Sequence, residues 1–470
     1  MNFRYLLFIS LIALLYSCKP FIYNAPDLTD FKIFPTRKIE ASPSPFIFPK
    51  KEQTVKLPDE LLWTMSNVEG KTYDYPSMDE FMKYSGTLTL IIARNDTIIY
   101  QNYFNGAQKD DIYTVFSVTK SFSSVLTAIA IQEGHIKSIH QPVSDFIPEF
   151  KEKGRHKMTI EHLLQMTSGV NESDYGDLLR LAYFYYGNDH SKKIRKAKLR
   201  YEPGEKFQYS SMTTQILGMV LEKATGKQFD AYLKEKIWDP MGMEYHALAS
   251  TDKKGNVKCF GGLSMNAIDM LKLGTLFLHK GNWQGKQIIP EDWILRTQTR
   301  DTTNGRSNRY ANCFWLDTYP LEDGFLKTDY FAGGYRGQIV YVNPENNTVM
   351  VRTGTREKDV HWGRSLSKLS HFSFVEDNKI DNEKYFCELD GGVFKNKFGK
   401  TVQVRFENGR MALRKLGENR FYEMTPSSMF TFENSTDKKR VIIEMNDERV
   451  GGIIVEEGKE SYYYSIVRED

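Results

Sequence analysis

Cysteine is nearly absent from this 470-residue chain, which carries four, at positions 18, 259, 313 and 387. So few thiols exclude the disulfide framework of a small secreted scaffold, and no two share the C-x-x-C spacing of a structural zinc site. Stability must come from an apolar core. The 40% hydrophobic content over this length suffices for one large domain plus a smaller one. An excess of one charge is also missing: 63 basic and 60 acidic residues give a formal net charge of +3, which argues against nucleic acid as a partner. The local departure is the run Lys192, Lys193, Arg195, Lys196, Lys198 and Arg200, readable as a solvated helix face or as a rim that captures anions. Long apolar runs are lacking as well. Residues 6–15 are apolar but fall short of the roughly 20 residues a membrane-spanning helix needs, and no later segment reaches that length.

What the amino terminus does contain is Arg4, the apolar stretch 6–15 and then Tyr16-Ser17-Cys18, the shape of a secretory signal. Leu15-x-Ser17-Cys18 resembles a bacterial lipobox, which implies that residues 1–18 are a signal peptide, that Cys18 is lipidated, and that the protein is membrane-anchored in the cell envelope. With Cys18 taken by lipid, the three remaining cysteines allow at most one disulfide. Residues 19–60 hold Pro20, Pro26, Pro35, Pro43, Pro45, Pro49 and Pro58 with little periodicity, and read as a tether that holds a globular body off the membrane.

In the body, residues 87–93 and 97–103 alternate around Arg94-Asn95-Asp96 as a β-hairpin. The spacing of Val118, Phe122, Val125, Leu126 and Ile129 predicts a buried helix stopped near Gly134. Further helices are expected at 160–166, 213–224, 267–279 and 290–296, the third opened by Asn266-x-x-Asp269 as a capping box. Strands are expected at 338–342 and 348–352. Strands at both ends of a region with a helical middle predict one sheet built from both termini and flanked by helices, an α+β domain over 61–372. After residue 372 the texture changes to short alternating strands, with Asn408-Gly409 as a hairpin turn, which predicts a small, barrel-like all-β domain over 373–470.

The stretch Val115-Phe116-Ser117-Val118-Thr119-Lys120-Ser121-Phe122 places a serine and a lysine three residues apart at the start of the buried helix. S-x-x-K also occurs at Ser250, Ser365 and Ser435, so the motif needs its context. Positions i and i+3 share a helix face, and the N-terminal dipole favours an alkoxide there. Burial lowers a lysine pKa, so a neutral amine at 120 would accept the proton of Ser117. The plainer alternative is a serine cap followed by a surface lysine. The flanking Phe116 and Phe122 count against it, because they predict a buried turn in which an unpaired lysine is costly.

Three further stretches join this one: Pro142-Val143-x-x-Phe146-x-Pro148 with His162-Leu163-Leu164-x-Met166-Thr167-Ser168-Gly169, then Phe207-x-Tyr209-Ser210-Ser211, then Phe331-Ala332-Gly333-Gly334-Tyr335-Arg336-Gly337-Gln338. In this order they resemble the serine β-lactamase and penicillin-binding-protein superfamily over residues 75–370. The resemblance implies that Ser117 is the nucleophile of an acyl-enzyme, that Lys120 and Tyr209 manage protons, and that His162 is structural. It implies an oxyanion hole from the N–H groups of Ser117 and Tyr335, with Gly333 and Gly334 letting backbone approach the substrate. No metal or organic cofactor is expected.

Two departures matter. Ser211 stands in the substrate-binding place where the superfamily usually has asparagine; a hydroxyl lacks the amide that donates to the substrate and accepts from the lysine, so its share of both tasks is open, with Gln215 as the residue to compensate. Ala332 stands where a lysine or histidine usually grips a substrate carboxylate, a charge that Arg336 or Arg352 would have to supply. The Tyr-Ser-Ser and Gly-Gly-Tyr-Arg-Gly-Gln stretches look closer to esterases, aminohexanoate-oligomer hydrolases and D-amino-acid amidases than to a dedicated penicillinase. The expectation is an envelope serine hydrolase acting on a small-molecule or peptide ester or amide. Its alternatives are a β-lactamase or D-alanyl-D-alanine peptidase, and a lapsed hydrolase that binds peptidoglycan or a partner.

Overall fold

The computed structural model describes residues 25–52, 55–57, 75, 77–175, 178–316, 329–356, 360–371, 392–407, 410–416, 422–428, 431–434, 439–446, 449–457 and 460–466. The signal segment with Cys18, Cys387 and the Asn408-Gly409 turn lie outside the described residues. The chain divides into two compact units, one closing at Leu366 and the other opening at Ser367, with Val55–Phe81 grouped with the second.

In the first unit the helix and strand patterns foreseen from spacing are present, with ends shifted by one to a few residues. The chief sheet is antiparallel with seven strands: β2 (Thr87–Arg94), β3 (Thr97–Tyr103), β9 (Tyr310–Ala311), β10 (Phe314–Leu316), β11 (Tyr330–Gly334), β12 (Gln338–Asn343) and β13 (Thr348–Gly354). Its order is β3-β2-β13-β12-β11-β10-β9, so strands from both ends of the unit meet at the β2–β13 pair, where Ile91 faces Val351. β12 and β13 are buried along their whole length, around the apolar runs 339–342 and 349–351.

Helix α1 (Val118–Gln132) packs against β11, β12 and helix α2 (Ser211–Thr225), while α3 (Ala267–Leu278) lies on β2, β12 and β13. Asn266 caps α3 by accepting from the Ile268 N–H at 2.9 Å. The expected capping box does not close, because the Asp269 carboxylate turns to the N–H groups of Glu244 and Tyr245, at 2.7 and 2.9 Å, and to Lys272.

A second, four-stranded sheet was not foreseen. It runs β1 (Thr36–Ile39), β5 (Ala247–Ser250), β6 (Leu263–Met265), β4 (Tyr113–Thr114). It corrects the tether expected over residues 19–60. Over residues 25–52 this segment is part of the body: β1 pairs with β5, Leu28, Phe34, Ile39 and Phe48 enter the core, and Asp30 accepts from Tyr185 at 2.8 Å. Scattered prolines hid the pattern, because a four-residue strand fits between Pro35 and Pro43 without disturbing its ladder.

The second unit carries a closed eight-stranded barrel, β14 (Val393–Lys395), β15 (Thr401–Glu407), β16 (Arg410–Lys415), β17 (Tyr422–Ser428), β18 (Thr431–Asn434), β19 (Lys439–Asn446), β20 (Arg449–Glu457) and β21 (Glu460–Ile466). Each strand pairs with the next, and β14 closes on β21 with Phe394 opposite Ile466. Buried residues alternate along β15 and β16, as Val402 and Val404 and as Met411 and Leu413, the period-two signature of a filled small barrel.

The closeness of α3 to the sheet depends on Gly274: a Cβ there would stand 2.4 Å from Val349 Cγ1 and 2.8 Å from Val340 Cγ1. Gly274→Ala is therefore expected to cost about 1–3 kcal/mol through overpacking, despite the better helix propensity of alanine. Urea unfolding of the variant checks this, and an unchanged midpoint would show that the sheet yields freely.

Candidate active site

The site is assembled where β4 ends. Thr114 pairs with Ser264, and the Val115 N–H donates to the Leu263 carbonyl at 2.9 Å, so β6 fixes the chain just before α1. Phe116 then takes φ +46°, a left-handed conformation that costs a bulky residue energy and marks a strained turn. Ser117 follows as the N-cap residue of α1. Thr119 Oγ1 accepts from the Leu263 N–H at 3.2 Å, closing the turn from the other side.

Lys120 is 1% exposed. Its Nζ donates to Ser117 Oγ at 2.9 Å, to Ser211 Oγ at 3.2 Å and to the Phe260 carbonyl at 2.8 Å. The alternative of a surface lysine behind a serine cap is thereby excluded. Loss of hydration pulls its pKa down to about 8, opposed by the negative charge of Asp174 and by Cys313. Tyr209 sits directly beside it, with the ring centroid 5.0 Å from Nζ and the phenol hydrogen-bonded to Ser117. Burial, aided by Asp174, raises the phenol pKa well above its ordinary value, and the bond to Ser117 only partly offsets this. The ring is walled by Tyr175, Tyr310 and Trp315, with centroids at 5.7, 5.7 and 5.3 Å.

Four residues singled out from sequence, Ser117, Lys120, Tyr209 and Ser211, therefore meet in one place. Gly334 brings the end of β11 against them: a Cβ there would stand 2.3 Å from the Val115 carbonyl and 3.2 Å from the Ser117 nitrogen. Gly333 abuts Phe331 and Trp315, and Tyr335 is half exposed with its ring edge-on to Phe116, centroids 5.5 Å apart.

Gln215, Arg336 and Arg352 are placed differently from the roles weighed for them, whereas His162 is structural as expected. Gln215 does not reach Lys120. Its amide donates to the Val257 carbonyl at 2.7 Å and accepts from the Cys259 N–H at 3.0 Å, which holds the loop that presents the Phe260 carbonyl. Ala332 is fully buried. Arg352 is buried and donates to Thr87 Oγ1 at 3.0 Å and to the Gly337 carbonyl at 2.7 Å, while Arg336 donates to the carbonyls of Pro26 and Thr355 at 2.9 and 2.8 Å. Both arginines brace backbone. His162 closes a capping box with Thr159, a structural role. Of the aromatic run 183–186, Tyr183 is exposed and the other three are buried, Phe184 against Phe260 at 5.1 Å. Lysines 192, 193, 196 and 198 line a cleft together with Glu172 and Met212.

Two participants escaped the sequence reading. The Phe260 carbonyl is a backbone group, and its only signal is the Gly261-Gly262 pair that lets the chain turn tightly behind it. Asp174 lies on a loop without periodicity. Its carboxylate accepts from Ser211 Oγ at 2.6 Å and from the Ser211 N–H at 2.8 Å.

The family description Beta-lactamase matches residues 78–364, more than half of the chain. The 6-aminohexanoate-dimer hydrolase of Paenarthrobacter ureafaciens is 22% identical over 307 residues, covering 61% of this chain and 78% of that protein. The N-acetylmuramyl-L-alanine amidase of Bacillus subtilis (strain 168) is 30% identical over 333 residues, covering 55% of this chain and 74% of its own. A solved protein of Bacillus anthracis, provisionally named 6-aminohexanoate-dimer hydrolase, matches with a TM-score of 0.63 at 21% identity, over 75% of this chain and 94% of that one. At that identity the likeness concerns the fold, the mixed helix and sheet architecture of β-lactamases and transpeptidases.

The contact at Gly334 yields a test. Gly334→Ala is expected to push β11 away from the Ser117 backbone and to lower kcat for p-nitrophenyl butyrate about a hundredfold, the scale of losing one oxyanion donor. An unchanged kcat would show that the strand need not come so close.

Proposed function

We infer, from the premise that this chain belongs to the beta-lactamase family, that it is a serine hydrolase of the cell envelope cleaving an ester or amide through an acyl-enzyme on Ser117. The observation that carries this reading is the placement of Ser117 Oγ within hydrogen-bond reach of both the Lys120 amine and the Tyr209 phenol, two groups that one burial displaces in opposite senses. Lys120 is lowered to about 8 while the Tyr209 phenol is raised, so near neutral pH the amine is the available base and the phenol stays protonated. Ser117 Oγ attacks the carbonyl carbon as its proton passes to Lys120 Nζ. The developing oxyanion is received by the N–H groups of Ser117 and Tyr335, the pair that the approach of Gly334 favours. Collapse expels the leaving group, which takes the phenolic proton of Tyr209, and the Lys120 ammonium reprotonates the phenolate. Water then repeats the sequence against the acyl-enzyme and frees Ser117.

The substrate class follows from what surrounds the nucleophile. Aromatic rings of Tyr175, Tyr209, Trp315 and Tyr335 stand about it, Ala332 offers no charge, and Arg336 and Arg352 are held by backbone carbonyls. These favour an acyl donor without a carboxylate at the place where penicillins and D-alanine termini carry one. The name of one relative, an amidase, supplies amides as the companion class. Envelope location through lipid on Cys18 rests on the N-terminal pattern alone. Incubation with a fluorophosphonate probe is expected to label the parent and leave Ser117→Ala unlabelled. Equal labelling of the two proteins would refute the assignment.

A further inference from the structure

The proton count around Lys120 assigns a role to a residue outside the motifs. Nζ has three oxygen partners, the Phe260 carbonyl, Ser117 Oγ and Ser211 Oγ. An ammonium donates to all three at once. A neutral amine has only two N–H groups, and its lone pair must then receive a hydrogen bond from the third partner. The Phe260 carbonyl has no proton to give. Ser211 has one, but Ser211 Oγ donates it to Asp174 Oδ2 at 2.6 Å, and a carboxylate only accepts. Ser117 remains as the hydroxyl whose proton can point at the lone pair.

We propose that Asp174 is a positioning residue: by taking the Ser211 proton it makes Ser211 an obligate acceptor, so that free-base Lys120 can draw its hydrogen bond only from Ser117. The proposal rests on the reading of Ser117 as nucleophile. It also accounts for the departure at position 211. An asparagine amide oxygen accepts unaided, whereas a serine hydroxyl both donates and accepts, and needs a second group to fix its direction. Serine and aspartate together reproduce what one amide oxygen does.

Asp174 is built into the backbone on both sides of that task. Its Oδ1 accepts the Ser211 N–H at 2.8 Å, and its own N–H donates to the Tyr209 carbonyl at 3.0 Å. The N-cap residue Ser210 makes no side-chain cap, so Asp174 caps α2 from another segment and fixes the turn that carries both Tyr209 and Ser211. The titratable groups that face Nζ are Asp174, Cys313 and the Tyr209 phenol, and Asp174 is foremost among those favouring the ammonium.

The experiment compares the full-length parent with Asp174→Asn, Asp174→Ala and the double variant Asp174→Ala/Ser211→Asn, reading the fluorophosphonate labelling rate of Ser117 from pH 6 to 10. Asp174→Asn, which keeps the shape, is expected to slow labelling about tenfold, because its amide can donate to Ser211 and free that hydroxyl to occupy the lysine lone pair. Its rising acid limb should also move to lower pH, since the anion that held the proton on Lys120 is gone. A purely structural role would slow the reaction without moving the limb. The double variant is expected to recover to within about threefold of the parent, its amide oxygen accepting without help. Parental rate and limb in both Asp174 variants, or a double variant no faster than Asp174→Ala, would overturn the proposal. A parent that resists the probe would instead overturn the assignment of Ser117, and this inference with it.

Discussion

Burial of the Lys120 amine at the start of α1 is the constraint on which the other features depend. An ammonium stripped of water is costly unless its protons are all received, and three oxygens receive them here. The same burial weakens the hold on the third proton, which is what a base needs. The phenol of Tyr209, packed into the same dry space, responds in the opposite sense because its charged form is the anion. One environment thus displaces two neighbouring groups in opposite senses, as the proposed base and acid require, and the serine hydrogen-bonds both.

The fold can be understood as the means of delivering five distant segments to that space. The β4–β6 pair fixes the strained turn before Ser117. The Asp174 loop and the start of α2 present Tyr209 and Ser211. β11 brings Gly334 against the serine backbone. The Phe260 carbonyl arrives on a loop held against α2 in two ways. Gln215 binds it through Val257 and Cys259, and Gly218 permits the approach, since a Cβ there would stand 2.3 Å from Cys259 Sγ. Beyond it, Lys258 is wholly buried and donates to the Tyr185 carbonyl at 2.8 Å, which ties the loop to the aromatic run 183–186.

Much of this was legible in the sequence, and the part that was not has a common cause. Side chains announce themselves: the interval from Ser117 to Lys120, the position of Tyr209 and the glycines at 333 and 334 are visible because the chemistry demands those residue types. The long strands β2, β12 and β13 and the helices α1 to α3 follow from periodicity, since each buries a repeating face. The Phe260 carbonyl could belong to any residue, and Asp174 acts through a contact that spans 37 positions along the chain. Strand β1 is too short for a pattern, and it exists because β5 offers it a partner. Asp269 has the type and spacing of a capping-box residue, yet the N–H groups of Glu244 and Tyr245 lie within its reach and take it. Local signals find what a segment can do, while tertiary contacts decide which of its options is used.

The departures from the superfamily pattern belong together in this light. Loss of an amide at position 211 is matched by a carboxylate from another loop, so it conserves the geometry around the lysine. Loss of a cation at position 332 is not matched by Arg336 or Arg352, which are bound to backbone. On the proposed reading the first change keeps the chemistry and the second bears on which substrates are held. The proposed chemistry therefore depends on the amine itself. Titration of Lys120 by carbon-13 NMR of its ε-methylene, assigned by difference with Lys120→Arg, is predicted to give a midpoint near pH 8. A midpoint at the ordinary lysine value of 10.5 would leave the site without a base near neutral pH and would contradict the account.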